Sequence, residues 1–147
     1  MTKFTISAEG QSVRVSKTVS ESDVYLFAGI TGDLSPNHTD EAYMRATPYG
    51  RRIAHGALIV GYMSRASTAM AEKLADPAAS HFPVSLGYDR IRFLKPVFIG
   101  DTVTLTYVLD AFDADSERST ARIEVTNDRQ ELVAVATHIM KWLAKAG

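Results

Sequence analysis

The sequence predicts an α+β domain in which an antiparallel sheet wraps around one long buried helix. Three observations predict it. Residues His55 to Leu74 contain no proline, and Ile59, Met63, Ala66 and Met70 recur there at helical spacing. The first two turns of that segment, Ala57 to Met63, are apolar almost all round, as in a helix buried on several sides. Most of the remaining chain alternates at the two-residue period of strands.

The elements follow in order. Ser12 to Val19 alternates, with Val13, Val15 and Val19 on one side, and reads as a strand. Ser20 is placed to cap a helix, with Asp23 at the capping-box position, and that helix ends at Gly32. Gly32 to Asn37 is composed of turn formers and reads as a loop. A short helix is expected over Asp40 to Arg45, capped by Thr39. Thr47 to Arg52 reads as loop, and Asp76-Pro77 is expected to stop the long helix.

Beyond the long helix, Val84, Leu86 and Tyr88 share one parity while Ile91 and Phe93 share the other. A β-bulge near Asp89-Arg90 reconciles them. Val103, Leu105, Tyr107 and Leu109 alternate with threonines, a half-buried strand. Ala121, Ile123 and Val125 form the next strand, and Asn127 to Gln130 is the turn. Leu132 to Leu143 is apolar on both parities for much of its length, which predicts a central strand.

The chain has 147 residues, 46% of them hydrophobic and 22% charged, and reads as one globular domain over 1–147. Its formal net charge of -1 argues against a nucleic-acid partner. The absence of cysteine removes disulfides, thiol nucleophiles and thiolate metal ligands. MTKFTISAEG has no apolar core of signal-peptide length, and no run approaches the ~20 apolar residues of a membrane helix. A cytoplasmic protein is expected.

Several residues can do chemistry. Thr31-Gly32-Asp33-Leu34-Ser35-Pro36-Asn37-His38 puts a carboxylate and an imidazole on one tight loop. Such a pair can grip a water, take its proton and return one. The same residues can equally serve as turn formers and a helix cap. At Ile53-Ala54-His55-Gly56-Ala57, Gly56 stands where a loop enters the long helix. Its N–H is free of an intrahelical acceptor, with the positive end of the dipole behind it. This suits an oxyanion, although a close-packing glycine explains it equally. His55 reads as a helix-entry residue. Ser64 lies off the buried stripe and can face a ligand or bond its own backbone. Arg45, Arg51, Arg52, Arg90, Arg92 and Lys95 read mainly as solvated cations. His38, His55, His81 and His138 show no metal-ligand spacing.

Together, Phe27-Ala-Gly-Ile-Thr-Gly-Asp33-Leu-Ser-Pro-Asn-His38, Arg52-Ile-Ala-His55-Gly56 and Phe93-Leu-Lys-Pro96-Val-Phe-Ile-Gly100-Asp101 resemble the MaoC-like (R)-specific enoyl-CoA hydratases. The resemblance runs from about residue 12 to the C-terminus, and it implies the hot-dog fold. It implies that Asp33 and His38 activate a water for syn addition across a trans-2-enoyl-CoA thioester. It implies that the Gly56 N–H holds the thioester oxygen. Ser35, Asn37, His55 and Ser64 are the implied substrate contacts. No cofactor or metal is implied, and the assembly expected is a homodimer or dimer of dimers. The chain departs from the family pattern at Ser35, where Asn is common, and at Asn37, where an aliphatic residue is common. Asn37 favours a shorter or more polar acyl group.

Two other functions are compatible with a hot-dog domain. Hot-dog thioesterases often carry an acid on the central helix near the thioester. Here Glu72 is the only acid on that helix and lies roughly 24 Å from Gly56 at a rise of about 1.5 Å per residue. A non-catalytic acyl-binding subunit is expected to lose Asp33 or His38, and both are present.

Overall fold

A computed structural model describes residues 3–75 and 80–146. The chain order is β1 (Ser12–Thr18), α1 (Glu21–Thr31), α2 (Pro36–Thr39), α3 (Glu41–Arg45), α4 (Gly56–Leu74), β2 (His81–Phe93), β3 (Thr102–Asp113), β4 (Arg118–Thr126) and β5 (Leu132–Ala144). The strands form one five-stranded sheet in the order β1-β3-β4-β5-β2, with every pairing antiparallel.

The long helix lies where its apolar pattern puts it. Ile59, Met63, Ala66 and Met70 are all buried. They join Val103, Leu105, Tyr107 and Leu109 of β3, Ala121, Ile123 and Val125 of β4, and alternate residues of β5 in one core cluster. Val13 and Val15 of β1, and Tyr88 and Ile91 of β2, pack against that cluster from the two sheet edges. The sheet therefore covers α4 across its whole width. At about 25 cal/mol per Å² of apolar surface buried, this shared core is the main source of stability.

Local sequence explains the elements around it. Ser20 and Asp23 form a complete capping box at the start of α1, and Gly32 closes that helix in the left-handed region at φ 76. Three expectations needed correction. The run Gly32 to Asn37 is not loop throughout, because Pro36 opens the helical turn α2 from its first position, where its missing N–H costs nothing. The cap of α3 is Asp40 rather than Thr39: the Asp40 carboxylate accepts from the Tyr43 N–H at 2.9 Å. Thr39 is instead the last residue of α2, and its hydroxyl donates to the Leu34 and Ser35 carbonyls. The last strand is interior but not central, since β4 occupies the middle of the sheet. Both faces of β5 are at least half-covered, which explains its apolar character on both parities.

The bulge expected near Asp89-Arg90 is present as a register shift between Asp89 and Arg92, with Arg90 at φ 54. A second register shift falls between Ser85 and Gly87, where the apolar parity of the sequence shows no break. Gln130 takes the positive φ of the expected turn, and its N–H donates to the Asn127 carbonyl at 3.0 Å. The expected stop at Asp76-Pro77 lies outside the described residues.

A chain of polar groups crosses the core at His138. His138 of β5 is fully buried. Its Nδ1 lies 2.9 Å from the Tyr107 hydroxyl and its Nε2 lies 2.8 Å from the Ser85 hydroxyl. The Tyr88 ring stacks on it at 4.5 Å. Burial pushes the His138 pKa from its ordinary 6.5 down to about 4. The folded value lies below the unfolded one, so the unfolded chain binds more protons between these limits. The neutral ring's contribution is complete above pH 6.5 and is lost as pH falls toward 4. That contribution amounts to up to about 3 kcal/mol. Urea midpoints measured from pH 7 to 4.5 should fall, and His138→Gln should flatten that slope. Equal slopes in both proteins would show that His138 does not carry the effect.

Candidate active site

The polar loop and the entry to α4 meet through backbone contacts at Ile53. The Ile53 N–H donates to the Asn37 carbonyl at 3.0 Å, and the Ile53 carbonyl lies 2.7 Å from His38 Nδ1. A carbonyl can only accept, so Nδ1 carries the proton and Nε2 keeps a free lone pair. Burial lowers the His38 pKa below its ordinary 6.5, partly opposed by its bond to Ile53 and by the Asp33 charge. At neutral pH the ring is an unprotonated base.

Asp33 follows the left-handed Gly32. Its N–H donates to the Thr31 hydroxyl at 3.2 Å, and its Oδ1 accepts from the Ser35 N–H at 3.3 Å. This local turn holds a carboxylate that is 51% exposed. His55 sits against it: Nε2 is 3.1 Å from the Asp33 main-chain oxygen and 4.0 Å from Oδ2. The His38 and His55 rings stack with centroids 3.7 Å apart. Ligand atoms of Asp33, His38 and His55 all lie within 4.8 Å of one another, a convergence that sequence spacing did not suggest. Two imidazoles and a carboxylate can in principle hold a divalent cation. Here His55 Nε2 already donates its proton to a carbonyl, which fits acid–base work better than ligation.

Gly56 is the first residue of α4. A Cβ added there would meet the Phe93 ring at 2.6 Å, so the glycine allows the aromatic ring to lie over the helix entry. Between this entry and residues 93–97 lies a cleft of about 240 Å³, with His38, Gly56 and Ile59 on one side and Phe93, Leu94 and Val97 on the other.

Not every expected residue lies in this cleft. Asp33, Ser35 and Asn37 all lie outside the cleft lining, Ser35 and Asn37 in the turn between Asp33 and His38. His55, expected as a substrate contact, is 1% exposed and lies outside the cleft lining: the ring is enclosed among Phe27, His38 and Asp33. Ser64 is exposed on α4, and its carbonyl accepts from the Ser67 and Thr68 hydroxyls. It lies about 12 Å along the helix from Gly56 and outside the cleft lining.

Sequence reasoning missed Arg52. Read as a solvated cation, it is buried and ties three helices together. It pairs with Glu21, donates to Glu41 at 3.1 Å, and reaches the Tyr25 hydroxyl and the His38 carbonyl. The other cations are dispersed: Arg51 lies 4.0 Å over the Phe98 ring, and Lys95 pairs with Glu131 at 2.7 Å. Ile53 and Arg52 were invisible for the same reason. A main-chain acceptor carries no residue signature, and a cation's partners lie far away in sequence. Glu72 is exposed, paired with Arg65 at 3.1 Å near the far end of α4.

An antiparallel sheet wrapped on one helix, with this site at the helix entry, defines a hot-dog protein of the hydratase–dehydratase kind, a lyase. Residues 5–132 match the MaoC like domain family, and the chain belongs to that family. It is 40% identical over 118 residues to an (R)-specific enoyl-CoA hydratase of Rhodospirillum rubrum, a match spanning 80% of this chain and 76% of that protein. It is 28% identical over 132 residues to an (R)-specific enoyl-CoA hydratase of Aeromonas caviae, spanning 90% of this chain and 92% of the relative. The solved structure of the A. caviae (R)-hydratase involved in PHA biosynthesis superposes with a TM-score of 0.77 at 27% identity, over 90% of this chain and 94% of that one. No described helix is long and apolar enough to cross a membrane.

Proposed function

We propose that this protein adds water reversibly and syn across a trans-2-enoyl-CoA thioester to form the (R)-3-hydroxyacyl thioester. The observation that carries the reading is the fixed tautomer of His38. Its Nδ1–H is held by the Ile53 carbonyl, so the Nε2 lone pair is free on a ring that lines the cleft, with the Asp33 carboxylate close to that ring just outside the lining.

The chemistry then balances with side chains alone. His38 Nε2 and the Asp33 carboxylate grip a water. As its oxygen bonds C3, its proton passes to this pair. The electrons of the double bond move toward C1, and charge develops on the thioester oxygen. That oxygen sits at the α4 N-terminus against the Gly56 N–H, where the dipole favours negative charge. The pair returns a proton to C2 on the same face. No electrons are exchanged with an outside acceptor, so the step calls for no resident redox group. Ser35, Asn37 and Ser64 lie outside the cleft lining, so their proposed contacts are to parts of the substrate that extend beyond it, with Asn37 favouring a short or polar acyl group. Hydration should slow as pH falls through the His38 pKa, below its ordinary 6.5.

A homodimer acting in the cytoplasm completes the proposal. The edge strand β2 leaves Phe82, Leu86 and Phe93 exposed, an apolar edge that a second copy would cover.

The test is hydration of crotonyl-CoA, followed by loss of enoyl-thioester absorbance and chiral analysis of the product. Turnover to the (R)-3-hydroxy product supports the reading. Release of free CoA instead would move it to a thioesterase. Gly56 gives a second check. In Gly56→Ala the new methyl displaces the Phe93 ring and the bound thioester, and kcat/KM should fall roughly ten- to a hundred-fold. Adding Phe93→Ala should recover part of the loss. Unchanged kinetics in Gly56→Ala would remove Gly56 from the oxyanion site.

A further inference from the structure

We infer that His55 is a positioning residue that orients the Asp33–His38 pair through the Asp33 backbone. The inference rests on the proposed hydratase reading for its kinetic consequence, and on geometry alone for its structural one.

The ring's surroundings leave few other roles. At 1% exposure it does not touch solvent or a ligand in the cleft. It occupies the N-cap position of α4, yet its side chain makes no capping hydrogen bond. Core packing alone does not explain an imidazole here, because Nδ1 is buried without any hydrogen-bond partner. A buried acceptor left unpaired is costly, and an apolar ring of similar shape would avoid that cost. What a phenyl ring cannot supply is the Nε2–H.

That N–H is aimed at the Asp33 main-chain oxygen, 3.1 Å away, rather than at the carboxylate oxygen at 4.0 Å. The distinction matters chemically. A bond to the backbone fixes where the Asp33 side chain starts without consuming the carboxylate's lone pairs. Because the acceptor is a carbonyl, it is His55 Nε2 that carries the proton and donates, so the ring's hold on Asp33 runs through the backbone. Its flat face packs 3.7 Å from the His38 ring at an interplanar angle of 28°, and Phe27 closes the next side at 4.8 Å. One side chain thereby sets the position of both members of the pair: Asp33 by a hydrogen bond and His38 by stacking.

The test compares His55→Phe, which keeps the stack and drops the N–H, with His55→Gln, which offers an amide N–H to the same carbonyl. His55→Phe is expected to melt at or above the wild-type temperature while kcat on crotonyl-CoA falls at least ten-fold and KM changes little. His55→Gln should recover most of kcat. A purely structural role predicts the reverse for the phenylalanine: a lower melting temperature with kcat per folded molecule unchanged, and that result overturns the inference. So does equal kcat in the two variants. Amide hydrogen exchange judges the geometry without reference to activity. Exchange at the His38 and Thr39 N–H groups, both bonded to the Ser35 carbonyl, should quicken several-fold in His55→Phe and stay near wild type in His55→Gln. Unchanged exchange in both variants overturns the inference. If wild type leaves crotonyl-CoA untouched, the hydratase reading fails while the exchange result still decides the role of His55.

Discussion

Asp33→Asn and His38→Gln should each lower crotonyl-CoA hydration by about 10²–10⁴-fold, the usual contribution of a positioned acid–base group. The two substitutions remove different things. Asparagine keeps the size of the Asp33 side chain and its acceptor for the Ser35 N–H, but it cannot take a proton. Glutamine at position 38 can still donate toward the Ile53 carbonyl, but it has no basic lone pair to replace Nε2. Asp33 is half exposed and Asn preserves its turn, so its melting temperature should match wild type within about 0.5 kcal/mol of stability. Because the groups act as one unit on one water, the double variant should lose little more than the worse single variant. Independent, multiplying losses would show that Asp33 and His38 do not share a step. A fully active Asp33→Asn would remove the carboxylate from the mechanism.

Met63→Ala is the substitution expected to cost most stability, about 2–5 kcal/mol. Met63 is fully buried in the stretch of α4 that is apolar almost all round, within the cluster that joins the helix to the sheet. Truncation loses the transfer energy of the removed atoms and leaves a void that the surrounding β-branched and aromatic side chains cannot fill without backbone movement. The loss should appear in urea midpoints at a fixed protein concentration. An unchanged midpoint would mean that α4 is not the centre of the core. Catalysis should persist in the folded fraction, since Met63 does not line the cleft.

The core was largely legible in the sequence. A helix stripe at Ile59, Met63, Ala66 and Met70 and a strand alternation at Val103 to Leu109 are periodic signals, and each residue of these sets is buried. The capping box of α1 was legible because its donors and acceptors are three residues apart. The bulge at Arg90 was legible because the apolar parity switches there. Errors fell where two local solutions compete. Thr39 and Asp40 are both good caps, and the geometry of α2 uses Thr39 for its own carbonyls, leaving Asp40 for α3. The rank of β5 within the sheet is a matter of topology, and no local pattern encodes it.

The site divides along the same line. The sequence by itself determined the types of groups available: a carboxylate and an imidazole on one glycine- and proline-bounded loop, and a glycine at a helix entry. These are short-range features, and their meaning survives without tertiary contacts. Only the tertiary structure decided how they are used. It set the proton on His38 through a carbonyl at Ile53, turned Arg52 from a surface cation into a buried tie, and took His55 out of reach of a ligand in the cleft. Each of these depends on a partner 11 or more residues away, reached through a backbone atom or a buried charge. Tautomer, burial and pairing are properties of what surrounds a residue, and those surroundings exist only once the chain has folded.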